Sequence, residues 1–295
     1  MGKASRRRKD ATIEGSPRRA RVVPFVRRPF EGLSAETEWV ALREILPAAT
    51  ATVTWAEGRA PQGAPAEATL ATVLPLAWPG LHRGDGTVMV GMQSGGSSGD
   101  ASRDLAAQLL AAASVEAGTP VVHLAPPTAD TPRLQDLLVD EPFLATVHDG
   151  FEFWVGDQEL EGDAKESLDR ANESVVPTSR MAALPSAFWV RIGDRTHIRL
   201  VLGDDEDAAT DALARLHAAG EDALGGPTRL LGAFRACGLL VPVWDLDPGL
   251  EATDYEQELA AWGTRYAAAL ASDAPLTAEE RRARSGLLSR QVTLR

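Results

Sequence analysis

Short apolar runs bounded by glycine and proline alternate with alanine- and leucine-rich stretches of helical period, which restricts this chain to sheets covered by helices. Residues 50–55, 68–76 and 87–92 read as strands separated by Pro- and Gly-rich turns. Asp100 or Ser102 then starts a long helix bearing Leu105, Leu109 and Leu110, with Gly118 as its stop and an apolar strand at 121–124 after it. A short helix is expected over 133–139. Asp149-Gly150 suits two positive-φ positions, so residues 144–148 and 151–155 predict a tight hairpin around it.

Upstream of the first strand, Ser34 is placed to cap a helix with Glu36 and Glu38 in its first turn, a buried stripe of Trp39, Leu42, Ile45 and Leu46, and Pro47 as its end. The second half repeats the style. Residues 188–192 and 196–202 pair around Gly193-Asp194-Arg195, and an acid-started helix follows from 205 to 219 with Gly220 as its stop. Pro227, the stripe Leu230, Leu231, Phe234 and Cys237, and the stop Gly238 predict a short helix before a strand at 239–244, whose Pro242 points to a sheet edge. Thr253 and Glu256 have capping-box spacing ahead of Tyr255, Leu259, Trp262, Tyr266 and Leu270, and Thr277 and Glu280 repeat that signal before a basic C-terminal helix.

The expectation is therefore an α/β (α+β) fold of mixed sheets and packed helices. The segments from Arg133-Leu134 to His148-Asp149 and from Arg229-Leu230 to Trp244-Asp245 have equal length and end apolar-x-Asp, which suggests two similar ββααβα units. On that reading a disordered arm spans 1–22, a first unit 23–175 and a second 176–295. A ligand groove would then fall at the boundary, where concave sites concentrate.

Charge divides the chain differently. The first 29 residues hold ten of the 30 Lys and Arg but two of the 42 acids, leaving 20 basic against 40 acidic side chains beyond them. Such segregation governs association rather than fold. The leading segment lacks spaced apolar positions and is expected to be disordered when alone. Residues 24–33 follow as an extended stretch, because each proline biases its predecessor away from helix, and Phe25 and Phe30 can anchor it across the body. No apolar run approaches the roughly 20 residues that span a bilayer, so no membrane role is expected. Cys237 is the single cysteine, which excludes an internal disulfide and fits a cytoplasmic setting.

No reaction centre stands out among the motifs. The loop 92–100 lies between a strand and a helix, where backbone N–H groups can hold phosphate, but it has no lysine and Asp100 and Asp104 oppose an anion. His148 and Asp149, with Glu152 nearby, are the candidate acid–base pair, and equally suit a surface turn. His82, His123, His148, His197 and His217 show no compact ligand spacing, so neither a metal nor another cofactor is expected. Asp204-Asp205-Glu206-Asp207 lacks the spaced ligands of a calcium loop and reads as helix capping. Cys237 reads as a core residue rather than a nucleophile, and the seven tryptophans fall mainly in buried stripes.

At Pro29-Phe30-Glu31-Gly32-Leu33, Trp39-Val40-Ala41-Leu42-Arg43-Glu44, Pro47-Ala48-Ala49-Thr50-Ala51, Ser102-Arg103-Asp104 and Gly238-Leu239-Leu240-Val241-Pro242-Val243-Trp244-Asp245, the chain resembles an actinobacterial domain of unknown function, family 5926. The resemblance implies a cytoplasmic protein with a variable basic N-terminus and brings no catalytic residues or cofactor. The helix-to-strand units are also similar to the repeated units of SseB-like adaptor proteins. Together these readings lead to a non-enzymatic binding or adaptor protein. Its acidic body would meet a protein partner, and Arg6, Arg7, Arg8, Lys9, Arg18, Arg19 and Arg21 would contact RNA, ribosomes or another polyanion. The alternative is a small-molecule-binding protein or enzyme with its cleft between the two units.

Overall fold

The computed structural model describes residues 22–94, 98–157 and 159–289. An α+β fold with two sheets results. In the first, β1 (Ala49–Thr54), β2 (Glu67–Ala71), β3 (Gly80–His82), β4 (Val88–Gly91), β5 (Thr119–Val121) and β6 (Thr146–Val147) take the order β5-β3-β4-β2-β1-β6. Only β2 and β4 run parallel, so this sheet is mixed. The second is antiparallel: β7 (Thr178–Arg180), β8 (Ala187–Ile192), β9 (Arg195–Leu200), β10 (Arg229–Ala236) and β11 (Leu239–Asp245) take the order β10-β11-β9-β8-β7.

Helix α1 (Glu36–Glu44) and α2 (Ala101–Ser114) cover the first sheet, with a single turn, α3 (Leu134–Leu137), beside α2. Exposed α4 (Gly162–Asn172) connects the halves, and α5 (Glu206–Ala219), α6 (Glu256–Leu270) and α7 (Ala278–Ser289) gather on the second. One core joins Trp39, Leu42, Leu70, Leu105 and Leu109 to Phe188, Val190 and Val241, so apolar packing crosses the 175/176 boundary. A second core sets the opposite face of the second sheet against helices, with Trp244 edge-on to Trp262 at 4.9 Å. Trp39, Trp55, Trp189, Trp244 and Trp262 are all buried, as their stripes require.

Local signals hold where the chemistry is local. Asp205 accepts from the backbone N–H of Asp207 and Ala208, Gly220 ends α5 at φ 71, and Thr277 and Glu280 cap α7 reciprocally. Three caps differ. Ser34 donates its N–H to Asp140 instead of capping α1. Asp100 is the cap of α2, accepting from Ser102 N at 3.1 Å. Glu256 accepts from the backbone of Ala182 and Ala183, and the start of that helical region is held by Glu251 and Asp254.

The predicted helix before residue 239 is the strand β10. Its apolar positions face both cores, with Leu230 and Ala233 on one side and Phe234 and Ala236 on the other, an arrangement a strand of period 2 provides and a one-sided helix does not. A bulge between Leu230 and Gly232, which leaves Leu231 without a register partner, shifts the phase of the alternation. Gly238, read as a helix stop, is half of a two-residue hairpin turn, with Cys237 at φ 45 and Gly238 at φ 85. Pro242 lies in a central strand rather than an edge. The ladder with β9 runs through Val243–Asp245, breaks at Pro242 and returns only as an isolated Leu202–Leu240 bridge, so the missing N–H is accommodated. The second half therefore runs three strands, a helix, two strands and two helices, and its sheet order does not repeat the first.

Nor does a hairpin form at Asp149-Gly150. After β6 the chain turns into a short 3-10 segment at Glu152–Trp154, because Phe153 and Trp154 pack on Leu74, Leu81 and Met89 while Phe151 stacks on Trp154, instead of extending.

Candidate functional site

Residues 24–33 form a strap over the body, as their prolines predict. Val26 donates to Gly99 O at 2.8 Å, and Phe30 is wholly buried and stacked on Trp39. Phe25 does not anchor; it is 79% exposed. The strap's cations are occupied. Arg28 grips Glu36 through two hydrogen bonds of 2.7 Å and donates to Gly203 O, while Arg27 and Arg235 converge on Glu206. The strap thus ties the first sheet's helix α1 to the start of α5 on the second.

Where strap, α1, the residues before α2 and the β10–β11 turn meet, an open groove of about 380 Å³ remains. Arg27, Arg43, Glu44, Asp104, Arg235 and Cys237 line it. Arg43 donates to Met92 O at 2.6 Å and sits 3.4 Å from Glu44. Asp104 is 3% exposed and also lines a neighbouring groove of about 330 Å³ with Gln108 and His123. Burial pushes its carboxyl above the usual range, against hydrogen bonds from Ser98 and the charge of Arg43. Cys237 lies 3.7 Å from Glu44, and burial together with that carboxylate pushes its thiol up to about 12. Such a thiol is not a nucleophile near neutrality. With each arginine facing a carboxylate or carbonyl, the groove can hold a polar ligand, but it offers no paired nucleophile and base.

His148 and Asp149 do not line this groove. His148 shares a 2.8 Å hydrogen bond with Thr50 Oγ1 and lies against Phe153, while Asp149 is exposed at the following turn. Burial lowers the His148 pKa, opposed by the charges of Glu152 and Asp149. Glu152 is itself held by Asn172 at 2.7 Å. Arg6, Arg7, Arg8, Lys9, Arg18, Arg19 and Arg21 lie outside the described residues. Among the described residues, no group of three or more His, Cys, Asp or Glu is arranged to hold a metal, and no helix is long and apolar enough to cross a membrane. The acids at 204–207 are engaged as caps and pairs: Asp204 with Tyr266, Asp205 at the helix start, Glu206 with Arg27 and Arg235, Asp207 with Arg284.

One polar centre escaped the sequence reading. Glu38, 2% exposed, receives both ends of the Arg180 guanidinium at 2.8 and 2.6 Å, the Ser186 hydroxyl at 2.7 Å and Ala145 N at 3.0 Å. Burial raises its pKa, and the bonds from Arg180, Ser186 and Ala145 together outweigh that and hold it below the ordinary carboxylate value. It joins α1 to β7 and to the residue before β8. Its satisfied partners make it a structural clamp between the halves.

A protein-family model described as "Family of unknown function (DUF5926)" matches residues 29–295. Comparison with curated proteins and with solved structures finds no match.

Proposed function

Because this chain belongs to the family of unknown function DUF5926, which supplies no catalytic residue to carry over, we propose a non-enzymatic cytoplasmic binding protein whose basic arm engages a phosphate-bearing polyanion such as RNA. Its acidic body would meet a protein partner. The observation that carries this reading is the boundary in the charge pattern. Arg27 and Arg28 are neutralised within the body by Glu206 and Glu36, whereas residues 1–21 carry eight Lys and Arg and two acids. With the strap pinned to both halves, the arm starts from a fixed point beside Gly99. Phosphate contacts from such an arm release counterions and make binding steeply salt-dependent.

The test compares the full chain with one beginning at Val22, measuring affinity for single-stranded RNA across salt concentrations. The log–log slope should be steeper in the full chain by about 0.7 for each phosphate contact the arm makes. Equal slopes and affinities would discard the proposal. A second reading, a small-molecule site, rests on the groove at the junction of the halves, with buried Asp104 at its wall.

A further inference from the structure

The face of the second sheet that continues beyond the shared core carries a group of basic side chains, three arginines and a histidine, within an otherwise acidic body. Alternation along β9 places Arg195, His197 and Arg199 on one face, opposite Ile192 and Val190 of β8 and Asp245 and Val243 of β11. Val190 and Val243 are buried, so these side chains are flanked across the sheet by apolar neighbours. Arg229 joins them through its pairing with Asp245. The one carboxylate of this group, Asp245, is shared loosely, 3.7 Å from His197 Nε2 and 3.6 Å from Arg229.

Arg199 differs from Arg28, Arg43 and Arg180. Its Nε is buried and, among the described residues, meets no acceptor; neither does the buried Nδ1 of His197. Burial alone lowers the Arg199 pKa, with no neighbouring carboxylate to oppose it. By contrast Arg28 and Arg180 each grip a carboxylate with two bonds. A half-buried guanidinium with no counter-ion and an unpartnered Nε costs stability unless something supplies an acceptor.

We propose that Arg195, His197, Arg199 and Arg229 form a binding site for a phosphoryl oxyanion, seated over β9 with Arg199 at its base. Arg195 and Arg229 lie at the exposed rim, where they can close on the outer oxygens. Guanidinium groups match phosphoryl oxygens through paired, charge-assisted bonds, which suits this set better than a halide or a lone carboxylate.

The experiment titrates the full chain, its Arg199→Leu variant and its Arg195→Gln variant with inorganic phosphate and, separately, with a dinucleoside monophosphate that carries only a diester, by calorimetry. All three proteins keep the basic arm, so a difference between them reports the sheet. Arg199→Leu removes a half-buried cation whose Nε has no acceptor and should melt at or above the parent temperature in phosphate-free buffer. Phosphate affinity should fall at least about tenfold in Arg199→Leu, as expected for lost charge-assisted bonds, and less in Arg195→Gln. Weakening of only the monoanionic diester would name a nucleic-acid backbone as the source, and weakening of inorganic phosphate a free or terminal phosphate. No binding of either anion by the parent protein, or equal binding by parent and variants, overturns the site.

Discussion

Glu38 shows how much one residue can hold when its charge is enclosed. Its four hydrogen bonds come from β7, the residue before β8 and the segment before β6, so loss of its charge leaves Arg180 without its counter-ion. Breaking a buried pair by removing one partner costs about 3–5 kcal/mol, chiefly from the uncompensated charge. Glu38→Gln is accordingly expected to lose about 3 kcal/mol in chemical denaturation, and Glu38→Gln combined with Arg180→Met to recover part of it. Nothing in the sequence marks this pair. An acid in a helix's first turn is sufficiently explained by the dipole, and its partner lies 142 positions away. His148 yields a second residue-level expectation. Its folded pKa is held below the ordinary 6.5 by burial, so the folded state binds its proton more weakly than the unfolded chain. The stability this contributes is present above 6.5 and is lost as pH falls through the interval beneath it. Urea denaturation at pH 7.5 and 5.5 should show a smaller acid loss in His148→Gln than in the parent; His197, shifted in the same direction, retains its own share.

At the scale of elements, what was legible depended on the reach of the signal. Asp205, Gly220 and the Thr277–Glu280 box act within a few residues, and the structure places them where their spacing predicts. The β10 segment was misread because Leu230, Leu231, Phe234 and Cys237 satisfy a helical stripe equally well once the bulge between Leu230 and Gly232 is unknown. Which reading wins is decided by two apolar surfaces, one on each side, that come from distant parts of the chain. The groove was anticipated only as a boundary between halves; its walls depend on the strap crossing the β10–β11 turn. That crossing is testable. A Cβ at Gly238 would stand 2.6 Å from the Arg27 carbonyl oxygen, and its φ of 85 suits glycine. Gly238→Ala is therefore expected to cost about 2 kcal/mol from backbone strain and the displaced strap together. Hydrogen exchange should show the loss of protection concentrated at Val26 and at the hairpin, whereas a purely local turn effect would leave Val26 unchanged.

For the whole molecule, the two sheets, the shared core and the strap make the halves interdependent, while charge separates the leading segment from everything that follows. Residues 22–295 carry 22 Lys and Arg against 40 acids, a surplus that repels itself and is relieved by salt. Two uses of the leading cations make opposite demands on stability. If they served mainly to screen their own body, removing residues 1–21 would lower the melting temperature at low ionic strength. That deficit would fade as the Debye length shrinks to about 3 Å near 1 M salt. If they serve an external polyanion, as proposed, the body's stability is indifferent to them. The full chain and the chain beginning at Val22 are then expected to melt together in 10 mM buffer and to rise in parallel as salt screens the acidic surface. Scanning calorimetry of both across an ionic-strength series measures this directly. A low-salt deficit confined to the shortened chain would assign the arm to self-screening instead of RNA.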